Sequence, residues 1–174
     1  VVHSLRADFD AIIVGGNTLR NDDPLLTSRG GKSPEPLRVV FTKTLDFPEK
    51  RNLWNCEIAK TLIVYDSSSA NEKNLDKIPR SVEIAKIPSD NPKFLAKLLA
   101  QRGFNKILWE CGPKLATSAF KSGCIQETIA FIAPKILGGV SAMTPFADFD
   151  FENMDEVKTL SKGNIKILNN DIFI

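Results

Sequence analysis

An α/β domain with a mainly parallel central sheet, flanking helices and a C-terminal antiparallel ribbon is the fold that this sequence predicts. Three observations predict it. Short apolar runs of strand length alternate with helical stretches, which favours parallel strands joined by crossovers. Glycine-bearing turns directly follow several of those runs. From Asp155 onward the text changes to short apolar segments with tight links, the pattern of an antiparallel ribbon.

The first strand is expected over Asp10 to Val14 and is ended by Gly15-Gly16. Leu37 to Thr42 is the second, bracketed by Pro34 and Pro36 on one side and by the Asp46-Phe47-Pro48 turn on the other. Thr61 to Tyr65 is closed by the turn-prone Asp66-Ser67-Ser68-Ser69, and Val82 to Ile87 is the fourth. Asn91-Pro92 opens a helix, with Asn as N-cap and Pro at its first position; Phe94, Leu95, Leu98 and Leu99 form its apolar face, and Gly103 ends it. Lys106 to Glu110 reads as a strand, Gly112-Pro113 as the start of a helix running to Gly123, and Thr128 to Ala133 as a strand again. The ribbon is expected over Val157–Leu160, Ile165–Leu168 and Ile172–Ile174, with links at Lys162-Gly163 and Asn169-Asn170. Gly30 to Glu35 is a loop, so residues 1–174 read as one domain without a linker. Val1 falls inside what reads as a helix, as in a fragment.

Bulk properties exclude several classes of function. Hydrophobic residues make up 43% and charged residues 25% of the chain, the balance of a soluble globular domain. Lys and Arg total 23 against 21 Asp and Glu, so the net charge of +2 offers no field for nucleic acid or an anionic membrane. No apolar run approaches the roughly 18 residues of a membrane span, and no signal-peptide pattern opens the chain. The three cysteines, Cys56, Cys111 and Cys124, lack metal-ligand spacing and fit a reducing, cytoplasmic setting. His3 is the only histidine, which leaves metal ligation and Ser-His-Asp hydrolysis without their usual parts.

Chemistry can sit at two strand ends. Gly15-Gly16 through Arg29 follows a buried strand, where open α/β sheets place ligands. Its glycines admit a phosphate to the backbone, Thr18 adds a hydroxyl near a short helix, and the Arg29 fork suits phosphate oxygens. A plain strand–turn–helix with solvated carboxylates explains the same stretch. At Trp109-Glu110-Cys111-Gly112-Pro113-Lys114-Leu115 a carboxylate ends a strand just before a helix start, either as a functional group or as a favourable anion at the helix. A third stretch, Ile132 to Gly139, either holds a backbone loop near a ligand or is a structural turn, and composition favours the turn. Cys111 near a helix start could have a lowered pKa, although no base partner is visible. Lys43 and Arg38 are either surface charges or contacts to an adenosine 2′-phosphate.

Two blocks in register carry a resemblance. DAIIVGGNTLRNDDPLLTSR and ILWECGPKLATSAFKSGCIQETIAFIAPKILGG, with His3-Ser4-Leu5-Arg6 before them, resemble the pyrimidine reductase domain of riboflavin biosynthesis. This is the RibD C-terminal domain family, whose fold is dihydrofolate-reductase-like. The resemblance implies NADPH-dependent reduction of 5-amino-6-(5-phosphoribosylamino)uracil to its ribitylamino product, in a homodimer. It implies substrate contacts at Arg6, Leu26, Arg29 and Glu110, with the arginines as phosphate partners. Cofactor contacts are implied at Gly15, Gly16, Thr18, Asp22, Lys43 and the run Gly112, Pro113, Lys114, Leu115, Ala116, Thr117 and Ser118, with Asp22 and Glu110 the carboxylates for catalysis. Three departures stand out. The family's opening strand would precede Val1, Cys111 replaces a glycine or alanine, and Lys43 stands where a hydroxyl is frequent. No zinc-deaminase signature is present. Another reductase of this fold, or a non-catalytic nucleotide-binding remnant, are the alternatives.

Overall fold

The computed structural model describes residues 1–136, 138–139, 141–142, 144–161 and 163–174. Helix α1 (Val2–Ala7) leads into β1 (Ala11–Gly15) and the short helix α2 (Gly16–Asp22). Strands β2 (Leu37–Thr42), β3 (Thr61–Asp66) and β4 (Glu83–Ile87) follow. Then come α3 (Pro92–Gln101), β5 (Ile107–Trp109) and α4 (Pro113–Lys121). These five strands form one sheet in the order β4-β3-β2-β1-β5, every pair parallel.

Strands β2 and β3 are buried along their full length, which is why their central residues, Val39 to Phe41 and Leu62 to Val64, run apolar rather than alternating. Successive side chains nonetheless serve opposite faces. Ile12, Val14, Val40 and Ile63 meet Leu19, Leu45, Phe47, Leu53 and Trp54 on one side. Ala11, Ile13, Val39, Leu62 and Val64 meet Leu95 and Leu99 of α3 on the other. Asn91 caps α3 by accepting from Lys93 N at 3.0 Å, and Gly103 ends it at φ +85°, a left-handed turn that favours glycine. Phe94 departs from its expected place on the inner face and is 41% exposed.

Arg38 lies at the start of β2, fully buried, and donates to the carbonyls of Leu25, Leu53, Asn55 and Ala59. It is therefore neither a surface charge nor free to meet a phosphate. Burial lowers its pKa, and nearby Cys56 and Glu35 only partly offset this.

The C-terminal ribbon is a separate three-stranded antiparallel sheet, β6 (Phe131–Ile132), β8 (Asp171–Phe173) and β7 (Lys166–Leu168) in that order. Backbone bonds between Ala130 and Ile174 extend the β6–β8 pairing by one residue, still short of the run expected from Thr128 to Ala133. Val157 to Leu160 is not a strand. A 3₁₀ turn at Met154–Glu156 precedes it, both end residues are exposed, and no strand among the described residues pairs with it. The Lys162-Gly163 link lies partly outside the described residues, whereas Asn169, at φ 57°, makes the β7–β8 turn.

Candidate functional site

All five parallel strands end on one edge, and that edge collects most of the residues singled out above. Gly15 ends β1 and Gly16 follows it, Lys43 follows β2, and Glu110 and Gly112 follow β5. Gly16 is needed there: a Cβ would meet Thr42 Oγ1 at 2.5 Å, so the α2 start can lie against β2 only without a side chain.

Glu110 extends the β5 ladder, its N–H donating to Ile13 O at 3.0 Å, and this fixes where its carboxylate emerges. Arg6 of α1 grips that carboxylate with two bonds, Nε to Oε2 at 2.9 Å and Nη2 to Oε1 at 2.6 Å. The planar fork matches the carboxylate, the most directional form of this pairing. The third guanidinium nitrogen, Nη1, donates to Thr27 O at 3.1 Å, and His3 Nδ1 lies 3.2 Å from the same carbonyl. Arg6 is thus spent on protein groups, and two residues expected to contact substrate hold each other across 104 positions of sequence.

The segment after α2 brings the remaining candidates forward. Asp22 ends α2 exposed and makes no side-chain hydrogen bond among the described residues. Its neighbour Asp23, at φ 43°, instead accepts from Asn52 N at 2.8 Å. Leu26 sits at φ 51° with its side chain in the core. Arg29, at φ 55°, is exposed and its guanidinium bonds nothing among the described residues. Glu35 accepts from Ser28 N at 2.6 Å and Gly30 N at 2.9 Å. Burial raises its pKa, but the Gly30 and Ser28 N–H bonds, with the Ser28 hydroxyl and the charge of Arg38, together hold it below the usual carboxylate value.

At the other strand end, Gly112 has nothing within 4 Å of its would-be Cβ, and α4 carries no side-chain cap. Its first N–H groups therefore have no partner from a capping side chain. Lys114 is exposed, Leu115 packs into the core beside Gly15, and buried Thr117 donates to Ala147 O at 3.3 Å. The run from Gly112 to Ser118 thus divides into an open start and a packed second turn. Burial pushes the Cys111 thiol up to about 12, so the helix start does not make it reactive. Lys43 forms an ion pair with Asp90. His3 and Thr27 lie in the quoted blocks but, like Glu35, carried no assigned role, because their contacts run across sequence.

An open parallel sheet with glycine turns and a clamped carboxylate at its carboxyl edge defines an α/β domain of the ligand-binding kind. The chain belongs to the RibD C-terminal domain family, which matches residues 1–172. It is 41% identical over 161 residues to the chloroplastic riboflavin biosynthesis protein PYRR of Arabidopsis thaliana, covering 91% of this chain and 26% of that protein. It is 40% identical over 162 residues to the riboflavin biosynthesis protein RibD of Synechocystis sp., covering 92% of this chain and 44% of that one. The chain thus spans less than half the length of these two relatives. Acinetobacter baumannii RibD (form 2) superposes with a TM-score of 0.80 at 25% identity, over 99% of this chain and 48% of that chain. The dihydrofolate-reductase-like fold expected from the sequence is the one observed.

Proposed function

We propose that this chain reduces 5-amino-6-(5-phosphoribosylamino)uracil to its ribitylamino product with NADPH, as a riboflavin-pathway reductase. The observation that carries the reading is the Arg6–Glu110 clamp at the end of β5, between the two glycine turns. An archaeal relative, 30% identical over 156 residues and matched over 70% of its length, is named 2,5-diamino-6-ribosylamino-4(3H)-pyrimidinone 5′-phosphate reductase in Archaeoglobus fulgidus.

Reduction of the ring-opened sugar, as an imine, adds hydride at C1 and a proton at nitrogen. A bound nicotinamide supplies the hydride. The protein's task is then orientation and electrostatics. Both Glu110 oxygens accept from Arg6, so the group stands as a fixed acceptor that favours positive charge developing on the imine. Asp22, exposed nearby along the chain from Thr18 and Gly16, is the second carboxylate and a cofactor contact. Arg29 is the free guanidinium for the substrate phosphate, while Arg6 serves the phosphate end only through the loop it holds at Thr27. Leu26 offers main chain to the substrate.

The cofactor fits the observed groups. Gly112 lies open at the uncapped start of α4, whose N–H groups suit a pyrophosphate, and Gly15 lies against Leu115 of the same helix. Thr18 and Lys43 flank this edge, and Lys43 is the group for an adenosine 2′-phosphate, which must displace Asp90. The reading carries a homodimer and a cytoplasmic location. Exposed Ile167 and Ile172 on the ribbon support a second copy, and three free thiols support a reducing compartment. The deciding experiment follows NADPH absorbance with the phosphoribosylamino-pyrimidine; no turnover by the full-length protein refutes the reading.

A further inference from the structure

Arg29 has an unusual setting for a residue meant to meet a phosphate. It is held at φ 55°, in the left-handed region that L side chains seldom occupy. A flexible exposed loop would let it relax to ordinary backbone angles and lose a defined direction. Here one side chain prevents that. The two oxygens of Glu35 accept the N–H groups on either side of Arg29, from Ser28 at 2.6 Å and Gly30 at 2.9 Å. Ser28 is itself buried, and its hydroxyl accepts from Lys32 N at 3.1 Å. Arg6 holds the preceding carbonyl, Thr27 O, at 3.1 Å. The segment is therefore pinned from both sides of Arg29, and only the Arg29 side chain projects free.

We propose that Glu35 is a positioning residue for substrate binding: its carboxylate clamps the Ser28 and Gly30 amides and so aims Arg29 at the substrate phosphate. This rests on the assignment of Arg29 to that phosphate. Both Glu35 oxygens are engaged by those amides, so it acts through Arg29. Its effect appears in binding of the phosphate-bearing substrate and not in the chemical step, because misaiming a binding arm weakens recognition while the reacting carboxylates stay in place.

The test compares the full-length wild-type protein with E35A, E35Q and R29A. The readouts are KM and kcat with the phosphorylated substrate and with its dephosphorylated counterpart, NADPH affinity, and amide hydrogen exchange at Ser28 and Gly30. E35A is expected to raise KM about ten- to a hundredfold for the phosphorylated substrate alone. Its kcat and NADPH affinity stay unchanged, and the two amides exchange faster. E35Q keeps one accepting oxygen and falls between E35A and wild type; it carries the test if E35A does not fold. If R29A loses the preference for phosphate but neither Glu35 variant does, the clamp is refuted and Arg29 stands. If R29A keeps the preference, the Arg29 assignment falls and the clamp's functional role falls with it. An equal KM rise for both substrates also overturns the proposal.

Discussion

Glu110→Gln isolates the clamp from the fold. In the wild type both carboxylate oxygens accept from Arg6, at 2.6 and 2.9 Å. The amide turns one acceptor into a donor facing a guanidinium that only donates, so one charge-assisted bond is lost. Such a bond is worth about 1.5–3 kcal/mol. The Glu110 side chain is 35% exposed, and water restores part of this, leaving a loss of about 1–2 kcal/mol. In a domain of this size that lowers Tm by about 2–8 °C, so the variant remains folded at 25 °C against a total stability of about 5–15 kcal/mol. Turnover falls much further, by about 10²–10³-fold, if the carboxylate stabilises charge on the reacting imine. Thermal unfolding and NADPH oxidation on the same preparation separate the two. Wild-type turnover in the folded variant removes Glu110 from the chemistry, and a loss that tracks only the unfolded fraction makes it structural.

Two further predictions concern the frame around the site. Gly16→Ala places a methyl 2.5 Å from Thr42 Oγ1 and is expected to cost about 1–3 kcal/mol in chemical denaturation, with part of the loss recovered in a G16A/T42A double variant. Asp10 accepts from Lys106 N at 2.9 Å and Asn105 N at 3.0 Å, with Lys32 beside it, and these bonds lower its pKa in the folded state. Its stabilisation is therefore fully present above the unfolded value of about 3.9 and is lost as pH falls through the lower folded value. Asp10→Asn should be less stable than wild type above about pH 4, the gap closing in more acid solution; a constant gap in Tm against pH would contradict this.

The central sheet was legible because its signals are local. Continuous apolar runs, Asn91-Pro92 before α3 and Gly103 and Gly123 after α3 and α4 each act on their own few residues. The ribbon was less so. Val157 and Leu160 carry strand-forming side chains, but a strand needs a partner edge, which no local pattern supplies. Arg38 reads as a surface cation by type, and only the carbonyls gathered from Leu25 to Ala59 explain its burial. For the site, residue types and strand-end positions were visible. The pairings were not, since Arg6 and Glu110 lie 104 residues apart and Glu35 looks like any loop acid.

The most direct measurement of the central claim is steady-state NADPH oxidation by the full-length protein with 5-amino-6-(5-phosphoribosylamino)uracil, with the ribitylamino product identified by mass. Stoichiometric formation of that product, slowed by about 10²-fold or more in Glu110→Gln, is the predicted result. NADPH binding without turnover, or equal turnover in wild type and variant, would contradict the account.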